Sequence, residues 1–238
     1  MRFPHRGKLV GAVGARPRTG YSDGLTLHRP GAAQIPDQIQ IQIMKTTKIA
    51  ILGKGNVGGA LARGLARSYS NVQSVGNDKA AQRQAATQAE VIILAVPFPS
   101  LDDVAKNLGA ALDGKVVVDA TNALDANMGL ALGYSTSGAE ELQKKLPQAR
   151  VVKTFNTVFA QHMDSGKVGG TPLTALVAGD DATAKQTVVT LAKDLGFETV
   201  DAGPLKNARL LEPLGYLNIQ LGYVLGLGTQ IGFKLVRE

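Results

Sequence analysis

Short apolar runs of strand length alternate with stretches whose apolar residues fall three or four apart, from residue 48 to residue 201. The run Ile49-Ala50-Ile51-Leu52 ends at Gly53, and Val57, Leu61 and Leu65 follow at intervals of four. This predicts strand 48–52 and helix 57–68. The same alternation predicts strand 72–76, helix 79–88, strand 90–96, helix 101–111, strand 115–119, helix 137–145 and strand 150–154. Strand 173–178, helix 181–195, strand 197–201 and a helical C-terminus complete the series. The third strand is apolar without interruption, as expected of a parallel strand buried on both faces. Pro97 and Pro99 stop it, and Ser100 can cap the helix that follows. The pattern predicts an α/β fold, a doubly wound parallel sheet of Rossmann type with a smaller C-terminal α/β-helical part. Its ligands belong at the carboxyl ends of the strands. Those ends are Gly53 to Gly58, Asn77/Asp78, Val96/Pro97, Thr121/Asn122 and Phe155/Asn156.

The two ends of the chain depart from this rhythm. Residues 1–43 show no sustained periodicity apart from the alternation Ile35…Ile39-Gln40-Ile41-Gln42-Ile43, which suits an edge strand. They lack the apolar segment of a secretory signal, and an Arg-rich organelle leader is the other reading of their composition. We expect a disordered extension over 1–43, with the fold beginning at Met44, a dinucleotide-binding domain over 44–160, and an acceptor-pocket and dimerisation region over 161–238. Residues 213–233 carry no charged side chain. Their length is that of a membrane span, but Pro213, Asn218, Gln220, Gln230 and five glycines lower the hydropathy. A buried helix at a dimer interface or against an apolar pocket is the expectation.

Charge and composition remove several function classes. Of the net +7, six basic against two acidic residues in 1–43 account for +4. The basic character therefore belongs mostly to the extension, and nucleic-acid binding by the folded part is not expected. The chain has no cysteine, which excludes disulfides, thiolate metal sites and thiol catalysis. His5, His28 and His162 are far apart, so no metal site is expected, and a cytoplasmic location is compatible with this composition.

The chemistry begins at Gly53-Lys54-Gly55-Asn56-Val57-Gly58, a G-x-G-x-x-G between a strand and a helix, which is the context that motif needs to bind a dinucleotide. Gly53 serves the tight turn, Gly55 lets a pyrophosphate approach, and Gly58 lets the helix pack closely. Asp78, twenty residues beyond Gly58, can bond the ribose hydroxyls of NAD or simply cap helix 79–88. With Lys54, Lys79 and Arg83 nearby, the cofactor reads as NADP or NAD. No histidine or carboxylate pair on the rim is placed for proton transfer. Direct hydride transfer between two ring systems needs none.

The segments Ile51–Gly58, Val116–Asn122, Val152–Thr157 and above all Asp201-Ala202-Gly203-Pro204-Leu205-Lys206-Asn207-Ala208-Arg209-Leu210-Leu211-Glu212 resemble the family of NADP oxidoreductases dependent on coenzyme F420, a deazaflavin. The resemblance runs from about residue 47 to 238. It implies that Lys54, Gly55, Asn56 and Val57 cradle the pyrophosphate, that Asn77 and Asp78 meet the adenosine ribose or its phosphate, and that Val96 and Ser100 flank the nucleotide. It implies that Asn122 and Ala160 lie near the nicotinamide end, and that Asn156, Val158, Leu205, Asn207 and Leu211 border the pocket of a small-molecule acceptor. It further implies a homodimer joined through the C-terminal helices. Asn77-Asp78 stands where such enzymes carry a Ser/Thr-Arg pair, and Asn156 where archaeal members carry a histidine. The acceptor therefore stays open between F420 and a flavin. Two rivals remain. One is a dinucleotide sensor that transfers nothing. The other is a dehydrogenase of a small hydroxy acid, for which Lys153 would have to point at the nicotinamide.

Overall fold

The computed structural model describes residues 44–132 and 134–238; the expectations for residues 1–43, the edge strand and the extension alike, lie outside them. The described residues cluster as one compact unit. The elements are β1 (Ile49–Leu52), α1 (Asn56–Leu65), β2 (Val72–Val75), α2 (Lys79–Gln88), β3 (Val91–Leu94), α3 (Leu101–Leu108), β4 (Val116–Asp119), α4 (Gly138–Lys145) and β5 (Arg150–Lys153). A two-residue hairpin, β6 (Lys167–Val168) and β7 (Thr171–Pro172), precedes β8 (Thr174–Gly179), α5 (Ala182–Asp194), β9 (Glu198–Asp201) and α6 (Ala208–Ile219).

Seven strands form one sheet in the order β2-β1-β3-β4-β5-β8-β9. The first five are parallel, and β1 lies between β2 and β3, so the strand order reverses at β1. Alternate side chains of the central strands feed two apolar layers. Ile49 and Ile51 of β1 pack with Leu61 and Leu65 of α1 and with Val188 and Leu191 of α5. Ala50 and Leu52 face the other way, toward Ala85 of α2, Val104 and Leu108 of α3 and Leu142 of α4. Burial on both faces is why β1, β3 and β4 read as unbroken apolar runs.

Three details differ from the expectation. β8 pairs with β5 antiparallel, because residues 154–173 contain no crossover helix and turn back at the carboxyl rim. Ser100 precedes α3 without capping it, since a 3-10 turn over Phe98–Ser100 leads into the helix. The uncharged C-terminal stretch is not one helix. α6 loosens into a π turn over Gln220–Val224, and Gly226 and Gly228 then take φ of 74° and 73°. Those left-handed positions stop the helix, so Gly228 and Gly232 are not on one helical face. Among the described residues, no helix is long and apolar enough to cross a membrane.

Candidate functional site

The glycine loop is held by contacts that exclude side chains. Gly53 has φ of 118° and its Cα faces the Ala95 carbonyl within contact distance, while its N–H donates to Val75 O at 2.8 Å. Gly58 is pressed against Gly53 O, which brings α1 down onto the turn. Gly55 is different: space is open where its Cβ would be. It is the N-cap of α1, offers no side-chain cap, and the first turn carries no acidic residue. The free N–H groups and positive dipole end of α1 thus face an open concavity, the arrangement a pyrophosphate requires. These residues fit a dinucleotide.

That concavity is a cleft of about 570 Å³. Gly55, Asn56, Val57, Val96 and Asn122 line it, as does the loop after β4 with Leu124, Asp125 and Met128. A neighbouring hollow of about 240 Å³ lies on the β2 side, lined by Asn77, Lys79, Val96, Ser100 and Asp103. The two share Val96 and Pro97 and so form one trough, which brings together the expected Gly55, Asn56, Val57, Asn77, Val96, Ser100 and Asn122 but is not lined by Asp78 or Ala160. Lys54 reaches over the end of β2, its Cδ 3.8 Å from the Cβ position of Gly76. Asp78 caps α2, accepting from Ala81 N at 2.8 Å. Arg83 does not serve the trough, because its guanidinium binds Asn107 O behind α2.

At the other end, Asn122 and Asn156 are locked to each other. Asn122 Nδ2 donates to Asn156 O at 3.0 Å, and Asn156 Nδ2 donates to Asn122 Oδ1 at 3.1 Å and to Leu211 O at 2.7 Å. The turn that brings Asn156 round is made at Phe155, a buried residue with φ of 66°. Such a conformation costs about 1–3 kcal/mol and persists only where packing dictates it. Here the Phe155 ring lies against Phe197, with centroids 5.7 Å apart.

Ala160 begins the 3-10 turn that follows this loop. Val158, Leu205 and Leu211 are all buried, the first two within the apolar layers. Asn207 spends its amide on Ala202 O at 2.6 Å. None of the expected acceptor-pocket residues Asn156, Val158, Leu205, Asn207 and Leu211 lines the cleft. Three residues outside the expected set do matter. Thr121, Phe98 and Met128 line the cleft; Thr121 was legible as a strand end, whereas Met128 sits on a loop with no periodic signal.

Lys153 does not point at the cleft. It is fully buried, with Nζ 3.0 Å from Asp119 Oδ2, 3.0 Å from Glu212 Oε1 and 2.6 Å from Thr121 O. Burial alone would lower the pKa of this ammonium; the two carboxylates outweigh it and hold the pKa above the ordinary lysine value. The hydroxy-acid reading loses its one candidate. Glu212 and Arg209 are not an ion pair with each other either. Arg209 makes a two-pronged contact with Glu140 of α4, at 2.7 Å from Nη2 to Oε1 and 2.9 Å from Nε to Oε2. The stretch from Asp201 to Glu212 is thus a strap: Asp201 binds Lys185 at 2.8 Å, Arg209 binds α4 and Glu212 reaches the sheet.

Fold and trough together define a dinucleotide-binding protein of the Rossmann class. Residues 48–123 match the family model described as NADP oxidoreductase, coenzyme F420-dependent. A crystal structure from Arthrobacter sp. FB24, provisionally assigned as an F420-dependent NADP reductase, is 31% identical with a TM-score of 0.70, covering 80% of this chain and 100% of that one. The F420-dependent NADP reductase of Methanothermobacter marburgensis is 32% identical over 150 residues, 60% of this chain and 66% of that protein. The metalloreductase STEAP3 of Rattus norvegicus is 32% identical over 183 residues, 70% of this chain but 36% of that protein. The chain thus spans about a third of the metalloreductase and just under two thirds of the archaeal reductase. It belongs to the family of coenzyme F420-dependent NADP oxidoreductases.

Proposed function

We propose that this protein is a cytoplasmic reductase that binds NADPH along the trough and passes hydride to a planar acceptor, F420 or a flavin. The observation that carries the reading is the chemistry of the cleft wall. Of its described lining residues, Asp125 alone is titratable, and its Oδ1 is occupied by Asn127 N and Gly129 N at 2.8 and 2.9 Å. Such a wall can orient two rings; its one titratable side chain is tied at Oδ1 to the backbone of its own loop, and direct hydride transfer needs no acid or base. NADPH is favoured over NADH by Lys54 and Lys79 beside the β2 end and by the family. The chain works as a homodimer, a reading supported by exposed Leu217, Tyr223, Val224, Leu225 and Leu227 at and beyond the end of α6.

Burial of Val158, Leu205 and Leu211 favours a second reading, a sensor that binds NADPH without passing on its hydride. The test is absorbance at 340 nm with the full chain, offering NADPH or NADH with F420, FMN, FAD or a quinone. Oxidation with F420 or a flavin is the expected result. Tight NADPH binding without turnover by any acceptor would leave the sensor.

A further inference from the structure

The buried cluster around Lys153 controls more than core packing. Its three ammonium protons go to Asp119, Glu212 and the Thr121 carbonyl. The second oxygen of Asp119 accepts from Thr121 N at 2.9 Å and from Thr121 Oγ1 at 2.8 Å. Every polar atom of Thr121 is therefore held by Lys153 or Asp119. Thr121 and Asn122 line the cleft on the β4 side, away from β2.

Glu212 brings α6 into the same arrangement. Its carboxylate also accepts from Gly138 N at 2.9 Å and Ala139 N at 3.3 Å, at the start of α4. The α4 dipole thereby offsets the excess negative charge of two carboxylates around one ammonium. The same face of α6 meets the asparagine pair twice more, through Leu211 O and through Gly215. A buried ion cluster is a poor source of stability compared with apolar residues of equal volume. What it supplies here is a defined position for one loop.

We propose that Asp119, Lys153 and Glu212 are positioning residues through which α6 sets where Thr121 and Asn122 stand, and so where the nicotinamide end of the dinucleotide rests. The inference rests on the dinucleotide reading above. Because the adenosine ribose belongs at the end of β2, the other half of the cofactor lies toward β4. The cluster touches only that second half.

The test compares NADPH with adenosine 2′,5′-bisphosphate, which carries the adenosine half alone, by calorimetry on the full chain. Glu212→Gln and Asp119→Asn each remove one charge and turn one of two occupied acceptor oxygens into a donor, which must face either Lys153 or the donors on the carboxylate's other side. Both are expected to weaken NADPH on the order of tenfold or more, the scale of one lost hydrogen bond to a charged group, with the bisphosphate unchanged within about twofold. Loss of both ligands in parallel, or of neither while thermal stability falls, would show a purely structural cluster and overturn the proposal. Hydrogen exchange on the wild-type chain reads the same coupling without a variant: NADPH should slow exchange in α6, and the bisphosphate should not. Equal effects of the two ligands on α6, or no effect of NADPH, would also overturn it. Failure of the wild type to bind either ligand would instead remove the dinucleotide reading, and this inference with it.

Discussion

Gly215 offers a quantitative test of how tightly α6 is fitted to the asparagine pair. A Cβ at Gly215 would stand 2.5 Å from Asn122 Oδ1, 2.7 Å from Asn156 O and 2.8 Å from Asn156 Nδ2. Two of those atoms belong to side chains already locked together, and the third is backbone. Alanine gains about 1 kcal/mol over glycine in a helix interior. Overpacking costs about 1–3 kcal/mol, and opening one or two of the asparagine hydrogen bonds adds about 1 kcal/mol each. The net for Gly215→Ala is a loss of roughly 1–4 kcal/mol. At about 2–4 °C per kcal/mol for a chain of this size, the melting temperature falls by roughly 2–16 °C. Gly59→Ala in α1 is the matched control. Its nearest neighbour is the flexible end of Arg63 at 3.5 Å, so there the helix term acts alone and stability rises by up to about 1 kcal/mol. Urea midpoints for the two variants and the wild type make the measurement. If Gly215→Ala were as stable as Gly59→Ala, the close packing of α6 on Asn122 and Asn156 would be refuted.

Three further outcomes are expected. Gly53→Ala places a Cβ against the Ala95 carbonyl at a φ that alanine avoids, so NADPH binding should be lost together with at least about 1–3 kcal/mol of stability, read by calorimetry and a thermal melt; retained binding would contradict the loop geometry. Asp78→Ala removes the α2 cap, costing about 1 kcal/mol, and removes the negative charge at the end of β2, where the proposed function puts the adenosine ribose; the ratio of NADPH to NADH affinity should rise, and an unchanged ratio would mean that the carboxylate does not face the ribose. In alkali, burial and the Asp194 hydrogen bond raise the Tyr69 pKa, and the Lys153 pKa is raised too. Both contributions are therefore intact below the unfolded values, at about pH 10, and are lost as pH climbs through the folded values. Urea midpoints should hold to about pH 10 and fall above it, less steeply in Tyr69→Phe. An equal slope in that variant would remove Tyr69 from the explanation.

The parts of the fold written in local pattern were legible in the sequence. β1, β3 and β4 are buried on both faces and so appear as apolar runs, and the glycine spacing announces a turn whose steric reasons the structure supplies at Gly53 and Gly58. The antiparallel entry of β8 was not legible, because its signal is a missing helix within residues 154–173. The charged cluster was hidden for another reason. Lys153, Asp119 and Glu212 end or sit in three separate elements; Asp119 and Glu212 alone read as ordinary polar positions, and Lys153 drew notice only as a candidate facing the nicotinamide. Arg209 and Glu212 stand three apart, a spacing that permits a pair on one helix face; packing turns one toward α4 and the other into the sheet. Leu205 and Leu211 carry the family resemblance, but their apolar character serves the core of this chain.

The position of Glu212 also bears on the order in which the molecule comes into being. Its carboxylate completes contacts to Gly138, which lies 74 residues earlier in the chain. At ribosomal rates of about 5–20 residues per second, roughly 4–15 s separate the two. Until then Lys153 has one carboxylate in place of two, and the loop bearing Thr121 has no strap behind it. The glycine turn can form early from neighbouring residues, whereas the far half of the trough waits for α6 to be made. On the proposed function, a nascent chain halted before that helix would hold the adenosine end of NADPH and lack the seat for its nicotinamide, so anchoring would come before the placing of the reactive ring.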